Sequence, residues 1–573
     1  MSVADVGETL EGRTGKPPRK RARRSGWSTG YLLLLPGLLW LLVFFVAPTI
    51  QLAATSLYDS AGSLEAGYAM TWSFGNYLDA LSTYREQFVR SLIYATTATG
   101  LALLLGYPLA YAIAFKAGRF KNLMLMLVIA PFFTSFLVRT LAWKSILADN
   151  GAVVETLKSV GILAPDGRLL ATSVAVITGL TYNFLPFMVL PLYASLEKID
   201  PRLLEAGKDL YANGFTAFRK ITVPLSMPGV VAGTLLTFIP AAGDYINSRT
   251  AGHPAAVHDR QRHRQHLPGP AQLPDRCRVL GGPHGRGGGD GPALRQAGRH
   301  RGSGMNRLQL LGRWTAERMT VFVAGVVLVY MFLPIFFVGL MSFNDPTSRL
   351  AYEFQGFTWD NWRDPCSPVG MCDSLVSSLQ IAFLATIGAT ILGTLVAFAL
   401  IRHRFRGRAP TSLLIFLPMA TPEVVMGSSL LALFSSAGLA GNLGFWSILV
   451  AHIMFCLSFV VVTVKARLAG LDFRYEQAAM DLYANEWQTF WRVTFPLVFP
   501  GILAAALLSF SLSFDDYIIT NFNHGNTITF PMFVWGSAQR GIPPQVNVVG
   551  TTMFLIALLL VLSTGLLQRR RSR

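Results

Sequence analysis

The chain has 573 residues, of which 52% are hydrophobic and only 14% are charged, and its formal net charge is +18. A soluble protein of this size carries about a quarter charged residues, so this composition excludes a large soluble domain. Apolar runs of about 20 residues predict instead an all-α polytopic membrane protein. Lys and Arg collect on the cytoplasmic loops of such proteins, so the net charge does not require a nucleic-acid partner.

The first half begins with a basic tail and continues with five predicted spans. Residues 1–28 are polar and basic, and they are interpreted as a disordered cytoplasmic tail. The first apolar run, 31–52, has no small-residue cleavage site and is interpreted as a retained helix. The basic loops after the second and fourth spans lie on the same side as the tail, and this side is therefore the cytoplasm. The later spans are predicted at about 90–115, 122–147, 169–195 and 223–246.

The loop before the fifth span is repeated in the second half of the chain. Residues 205–229 read EAGKDLYANGFTAFRKITVPLSMPG, and residues 477–501, 272 positions later, read QAAMDLYANEWQTFWRVTFPLVFPG. A repeat of this length without a gap predicts that the chain is two copies of one unit. By the charge argument, both copies are cytoplasmic loops.

Within each copy the sequence predicts two short helices that present an aromatic surface. Asp200 can cap a helix that starts at Pro201, and Asn213-Gly214 ends it before a second short helix. One copy alone fits a plain surface helix as well as a docking element, whereas two copies favour docking to a cytoplasmic partner. The aromatic contact surface comprises Tyr211, Phe215, Phe218, Tyr483, Trp487, Phe490 and Trp491.

The second half restarts at Met305 and shows six predicted spans. Its loop charges place both of its ends in the cytoplasm. The spans are predicted at about 320–342, 376–400, 411–435, 446–466, 497–520 and 548–567.

The segment 251–304 does not fit between two such halves. Five spans leave the chain outside after residue 250, yet residue 305 must start inside, and the segment contains no apolar run. It holds six of the nine His and is rich in Arg, Gly and Pro. Three interpretations compete: a His-rich metal linker, a disordered insert, or translation in the wrong frame. The His spacing matches no ligand pattern, so no metal site is predicted.

The wrong-frame hypothesis is favoured because the codons permit a membrane-like alternative. Residues 258–264, HDRQRHR, can be encoded so that reading from the second base gives Met-Ile-Gly-Asn-Val-Ile. A sixth span would then be lost, and two adjoining coding regions would be joined. The resulting domain prediction is a tail at 1–28, a first permease half at 29–250, an aberrant linker at 251–304 and a second permease half at 305–573.

The repeated loop resembles the EAA loop of the permeases of bacterial ABC importers. Glu205-Ala206-Gly207 and Gln477-Ala478-Ala479 match the opening of that motif, and Pro224 and Pro496 match its hydrophobic-Pro tail. Tyr211 and Tyr483 stand where the family usually has Gly, and Gln477 replaces the acid, with Glu476 one place off. SFDDYIITNF, GIPPQVNVVGT and GDYINSRT are most similar to the spermidine/putrescine permease pair.

This resemblance implies two pseudo-symmetric six-helix bundles in a bacterial inner membrane, with both termini cytoplasmic. It implies a cytoplasmic ABC ATPase dimer as one partner and an extracytoplasmic solute-binding protein as another. No phosphate-binding loop is found in the chain, so ATP is expected on the separate ATPase and no cofactor on this chain. The coupling residues implied are Glu205, Ala206, Gly207, Asp209, Tyr211, Phe215, Phe218, Pro224, Gln477, Ala478, Ala479, Asp481, Tyr483, Trp487, Phe490 and Pro496.

Acids beside aromatic residues at the outer ends of the fifth spans suggest a path for an amine cation. The alternative is that these acids cap the span ends. The residues are Asp244, Tyr245, Asp515, Asp516 and Tyr517. Rival functions are a secondary transporter built from two parallel repeats, a non-transport scaffold, or an inactive fusion. Cys366 and Cys372 either form a disulfide or stay unpaired.

Overall fold

The computed structural model describes residues 26–59, 69–209, 213–244, 307–348 and 353–571. Side chains are described from residue 29 to 559 of these ranges, apart from those of 152, 208 and 307–318. The predicted tail and the linker 251–304 fall almost entirely outside these ranges, as do the predicted boundaries near 250 and 304. The division of the chain at those points therefore stays a prediction.

The described part of the first half is helical. Its α-helices are α1 (Gly26–Leu41), α2 (Ala47–Thr55), α3 (Gly75–Thr83), α4 (Arg85–Phe115), α5 (Lys121–Ile129), α6 (Phe136–Ile146), α7 (Ala152–Ser159), α8 (Ser173–Leu196), α9 (Pro201–Asp209), α10 (Gly214–Ala217) and α11 (Val223–Gly243).

The described part of the second half is also helical. Its α-helices are α12 (Arg307–Met341), α13 (Asp360–Arg363), α14 (Met371–Arg402), α15 (Arg408–Ala420), α16 (Glu423–Ser436), α17 (Phe445–Ala469), α18 (Arg474–Asp481), α19 (Glu486–Thr489), α20 (Phe495–Asp515), α21 (Ile518–Asn523), α22 (Phe530–Ala538) and α23 (Pro544–Arg571).

Eight helical segments of the described residues are long and apolar enough to cross a membrane, and two bent helix pairs raise the number to as many as ten. A shorter apolar helix, Pro544–Leu559, follows near the end of the chain. Counting each bent pair as one span and adding this helix gives five spans in the first half and six in the second. The predicted all-α polytopic fold is confirmed.

The third span of each half is bent, whereas hydropathy alone predicts straight helices at 122–147 and 411–435. The first bend, of 91°, separates 118–133 from 136–146, and the second, of 103°, separates 408–420 from 423–436. At the second bend Thr421 is extended because it precedes Pro422, which disfavours helical geometry at the residue before it. At the first bend Thr134 and Ser135 are extended without a proline between them.

The chain forms two compact units that do not follow the two halves of the sequence. One unit combines the described residues of 1–85 with those of 366–537, and the other combines the described residues of 86–365 with those of 538–573. The first span of each half therefore belongs to the unit formed by helices of the other half.

In the first unit α1 packs on α14 and α17. Leu34, Leu41 and Phe45 share a buried core with residues 396–400 and 454–461. Gly37 allows the close approach of α1 to α14, because a Cβ there would lie 2.5 Å from Val396 Cγ2. This close contact fixes the first span beside helices that come from the second half.

In the second unit α12 packs on helices of the first half. Tyr182 donates a hydrogen bond of 3.2 Å to the carbonyl of Met331, and Tyr330 donates one of 2.9 Å to the carbonyl of Thr178. The rings of Trp143, Tyr182 and Tyr330 contact each other at centroid distances of 5.4 to 5.8 Å. These contacts tie the first span of the second half to α6 and α8.

Candidate functional site

The second repeat loop (residues 472–496) consists of short helices that are capped by their own side chains. Asp472 Oδ1 accepts a hydrogen bond of 3.0 Å from the first turn of α18. Asn485 Oδ1 accepts one of 2.8 Å from Gln488 N, and Gln488 Oε1 accepts one of 3.1 Å from Asn485 N, which completes a capping box before α19. A π-turn, Phe490–Thr494, then leads into the span α20.

The first repeat loop (residues 200–224) uses the same devices. Asp200 Oδ1 accepts a hydrogen bond of 2.9 Å from the N–H of Arg202 in α9. Asn213 Oδ1 accepts one of 2.7 Å from Thr216 N, and a π-turn, Phe218–Thr222, leads into α11. The predicted pair of short helices is therefore present in both copies.

The predicted aromatic contact surface separates into exposed tips and packed anchors. Phe215 and Trp487 are each 70% exposed, and Tyr483 is 98% exposed. Phe218 instead contacts the rings of Tyr107 and Tyr111 on α4, at 5.5 and 6.0 Å, and Phe490 contacts Phe398 on α14 at 5.5 Å. Each loop is thus held on its second span by one aromatic ring while other rings face outward.

Gly207 allows close packing inside the first repeat loop. A Cβ there would lie 2.7 Å from Ile221 Cδ1 of the π-turn, so a larger side chain would displace the Ile221 side chain. The remaining predicted loop residues lie at or near the surface. They are Glu205, Ala206, Asp209, Pro224, Gln477, Ala478, Ala479, Asp481 and Pro496. Tyr211 lies outside the described residues.

An ion pair that motif matching missed fixes the second loop. The Glu476 carboxylate accepts hydrogen bonds from both terminal nitrogens of Arg402, which lies at the end of α14. Thr494 Oγ1 donates a further hydrogen bond of 2.5 Å to Glu476, and the guanidinium of Arg402 lies 4.5 Å from the ring centre of Phe473. Both charged side chains are mostly buried, so the contact is worth more than a surface salt bridge.

A buried polar cluster lies at the far end of the span that follows the second loop. Asp516, which is 7% exposed, accepts hydrogen bonds from the backbone N–H and Oγ1 of Thr520, at 2.8 and 2.9 Å. His452 Nε2 lies 3.2 Å from the Asp516 carboxylate, and His452 Nδ1 lies 2.8 Å from Ser513 Oγ. His452 is 2% exposed on α17, and sequence reasoning overlooked it although it lies within a 25-residue apolar helix.

The other predicted path residues differ from Asp516 in their surroundings. Asp515 and Asp244 are half-buried at the ends of α20 and α11. Tyr517 is buried, and its ring centre lies 5.3 Å from that of Trp535. Tyr245 lies outside the described residues. Asp516 thus has the geometry of a helix cap, and its role in a cation path stays a prediction.

Two separate regions of the chain match one known family. The family described as "Binding-protein-dependent transport system inner membrane component" matches residues 102–252 and residues 389–573. The chain belongs to this family. The presence of two matches in one chain confirms the prediction of a tandem of two ABC importer permease units.

The permease is similar to several characterised relatives. It is 37% identical over 248 residues to the spermidine/putrescine transport system permease protein PotC of Haemophilus influenzae, a match that covers 43% of this chain and 95% of the relative. PotC of Escherichia coli strain K12 is 36% identical, with 43% and 92% covered. PotB of Haemophilus influenzae is 40% identical over 205 residues, with 36% and 71% covered.

The second unit of the permease also contains a buried charge that sequence reasoning missed. Arg139 on α6 is 3% exposed, and its Nε donates a hydrogen bond of 2.9 Å to the carbonyl of Thr134 at the bend of the third span. Its guanidinium lies 5.9 Å from the ring centre of Tyr182. The extended residues at the bend thus supply a carbonyl acceptor for a charge within the membrane-spanning part.

The structure answers the open question of the two cysteines near the start of α14. Cys366 precedes α14, Cys372 lies in its first turn, and the two form a disulfide with their Cα atoms 5.5 Å apart. Cys456 is buried in α17, where its Sγ donates to the carbonyl of Ser509 at 3.5 Å.

Proposed function

We propose that this permease imports a polyamine-like cation across the inner membrane, driven by a separate ATPase dimer and supplied by an extracytoplasmic binding protein. The observation that carries the proposal is the pair of repeat loops, each anchored on its second span and each with exposed aromatic tips. The similarity to spermidine/putrescine permeases supports the class of solute.

The two loops would transmit the motion of the ATPase to the spans. Phe215, Tyr483 and Trp487 expose rings that a partner groove could bury. Phe218 and Phe490 pack against α4 and α14, so a displacement of either loop would move the second span of its half. ATP would bind on the partner alone, and this chain would bind no cofactor.

The proposed orientation places both loops and both chain termini in the cytoplasm. Lys116, Arg119 and Lys121 lie at the junction of the second and third spans, and Arg404 and Arg406 occupy the equivalent place in the second half. Basic residues in short loops favour the cytoplasmic side. The repeat loops lie at the same ends of their spans as these basic residues.

For the solute, we propose that Asp244 and Asp515 contact the amine groups. Both are half-buried at span ends, where a carboxylate can pair with a passing cation. Asp516 and Tyr517 would act beside them. Since Asp516 bonds to Thr520 and lies beside His452, we expect it to position the chain around Asp515.

Binding of the partner ATPase tests the proposal most directly. The full chain would be co-purified with its ATPase, and Tyr483→Ala combined with Phe215→Ala should remove most of the captured ATPase. Trp446→Ala is the matched control, because Trp446 is about as exposed as Phe215 and lies at the start of α17, at the opposite end of that helix from the second repeat loop. Spermidine uptake that needs a proton gradient and no ATPase would contradict the proposal.

The junction between the halves needs a separate test. Sequencing of the DNA across codons 245–310 shows whether a shifted frame has removed a sixth span. An unbroken frame would overturn the wrong-frame hypothesis. A corrected frame would give the chain on which uptake should be measured.

A further inference from the structure

A stripe of aromatic rings runs from the second repeat loop into the span that follows. Trp487, Trp491, Phe495 and Phe499 contact each other in turn, with ring centroids 5.7, 5.0 and 5.7 Å apart. Positions four apart on an α-helix drift by about 40° per step, and the π-turn Phe490–Thr494 turns the helix back. The rings therefore stay on one face of the helix.

The stripe is continuous with a surface of the membrane span. Leu503 and Leu507 follow at the same spacing of four residues and are 43% and 40% exposed. The segment Glu486–Asp515 that carries the stripe is one of the candidate membrane spans. The part of this face that lies within α20 is therefore at the depth of lipid. Trp491 and then Trp487, at the tip of the loop, follow at the end of the span, where tryptophan favours the membrane interface.

A groove of about 930 Å³ lies beside the stripe in the same unit. Its walls are mostly apolar and include Ile391, Leu395 and Phe398 of α14, together with Ile502 of α20. Arg402, His403, Glu476 and Glu486 line the polar part of the groove. Within this set, Arg402 pairs with Glu476.

A basic segment follows directly after the groove residue His403. Arg404, Arg406 and Arg408 are all exposed. The segment is held in place by Tyr31, whose hydroxyl donates a hydrogen bond of 3.0 Å to the carbonyl of Arg406 and whose ring lies 5.4 Å from that of Phe405. Three exposed arginines thus lie within five residues of the groove residue His403, at the end of a membrane span.

We propose that this groove binds one anionic phospholipid, with an acyl chain along the aromatic stripe and the phosphate near Arg404, Arg406 and Arg408. Basic clusters next to a membrane span attract anionic headgroups, and the apolar wall suits an acyl chain. A soluble protein partner would not reach Phe495 and Phe499 of the stripe, because these two residues lie within the span.

The first copy of the repeat provides an internal contrast. The positions that correspond to Trp487, Trp491, Phe495 and Phe499 are Phe215, Arg219, Val223 and Met227. A single aromatic ring remains there, and a charge interrupts the stripe. The lipid site is therefore a property of the second copy alone.

Quenching of tryptophan fluorescence by brominated lipids tests the site. The full chain would be reconstituted in vesicles that contain either brominated phosphatidylglycerol or brominated phosphatidylcholine. The signal of Trp487 and Trp491 is obtained by difference from the Trp487→Phe, Trp491→Phe double variant. We expect half-quenching at an about five-fold lower fraction of the anionic lipid, which corresponds to one or more headgroup contacts with arginine.

The charge requirement is tested with the triple variant Arg404→Gln, Arg406→Gln, Arg408→Gln. These side chains are exposed, so the fold should be kept while the preference for the anionic lipid is lost. Arg363→Gln, on an exposed residue of α13, is the matched control and should leave the preference intact. Equal quenching by both lipids would mean an ordinary lipid annulus and would overturn the proposal. Absence of any quenching would do the same, because the groove would then not face acyl chains.

Discussion

The two copies of the repeated unit share their shape but differ in how they are fixed to the rest of the protein. In the second copy Glu476 pairs with Arg402 at the start of the loop, and Asp516 lies against His452 at the end of the span. At the same offset of 272 positions, the first copy has Leu204 in place of Glu476 and Leu180 in place of His452. The first copy therefore cannot form either contact.

This difference shows that the shape of the loop and its rigidity have separate causes. The capping residues, the π-turn and the aromatic anchor occur in both copies and are sufficient for the shape. The Glu476–Arg402 pair and the contact of Asp516 with His452 are added in the second copy. Two ion pairs of the first half, Lys121–Glu197 and Asp149–Arg168, lie nearer the surface. We therefore expect the second copy to be the stiffer of the two.

The largest effect is expected from Glu476→Ala. The substitution leaves the guanidinium of Arg402 mostly buried without its carboxylate partner, which should lower the free energy of unfolding by about 2 kcal/mol. Unfolding of the full chain in mixed micelles would measure the loss. Gln477→Ala, at the next residue but exposed, is the matched control and should change stability by less than about 0.5 kcal/mol. Equal effects of the two substitutions would show that the second copy is not fixed by this pair.

A smaller loss is expected from Asp516→Asn at the other end of the span. Each carboxylate oxygen of Asp516 accepts a hydrogen bond from a backbone N–H group, one from Ile519 at 3.4 Å and one from Thr520 at 2.8 Å. The amide of an asparagine has only one oxygen, so its NH₂ group would face one of these two N–H donors. The expected cost is about 1–2 kcal/mol of unfolding free energy.

The neighbouring residue separates a structural role of Asp516 from a direct role in transport. Asp515→Asn should lower spermidine uptake, because Asp515 is proposed to contact the amine groups of the solute. If Asp516→Asn lowers uptake with no loss of stability, then Asp516 contacts the solute directly. The assignment of a structural role to Asp516 and of solute contact to Asp515 would then be wrong.

Much of this architecture could be predicted from the sequence, because it depends on local patterns. Hydropathy locates the spans, and the exact repeat locates the two loops. The fixing contacts could not be predicted in the same way. Glu476 is next to the motif, but its partner Arg402 is 74 positions away, and only the packing of α18 on α14 brings them together.

Other features had partial signals or none. Pro422 is a visible reason for one bent span, whereas the bend at Thr134 has no proline between its extended residues. His452 could have been noticed as an ionisable residue within an apolar run. The exchange of first spans between the two compact units depends on long-range packing, such as the contact at Gly37, and no local pattern reports it.

Replacing Tyr483 with glycine should have a smaller effect on the free energy of unfolding, and should raise it rather than lower it. The Tyr483 φ of 64° lies in the left-handed region, where a tyrosine is strained and a glycine is not. Tyr483→Gly should raise the free energy of unfolding by about 0.5 kcal/mol and weaken capture of the ATPase, because the exposed ring is lost. Tyr483→Ala keeps the strain and removes the ring, so it should weaken capture equally without stabilising the chain. Unchanged capture in both variants would exclude this ring from the docking surface.

The smallest effect is expected at the surface ion pair of the first half. Two nitrogens of Arg168 donate to Asp149 Oδ2, at 2.7 and 2.5 Å, and this hydrogen bonding holds the pKa of Asp149 below its ordinary value of 3.8. Because the folded pKa is the lower one, the pair stabilises the fold at neutral pH, and this contribution is lost as the pH falls through the lowered pKa. The difference in unfolding between wild type and Asp149→Asn should therefore be small at neutral pH and shrink in acid. It should also shrink in high salt, since salt screens exposed charges. An effect at neutral pH as large as that of Glu476→Ala would mean that the first half is fixed as firmly as the second, and that stiffness does not distinguish them.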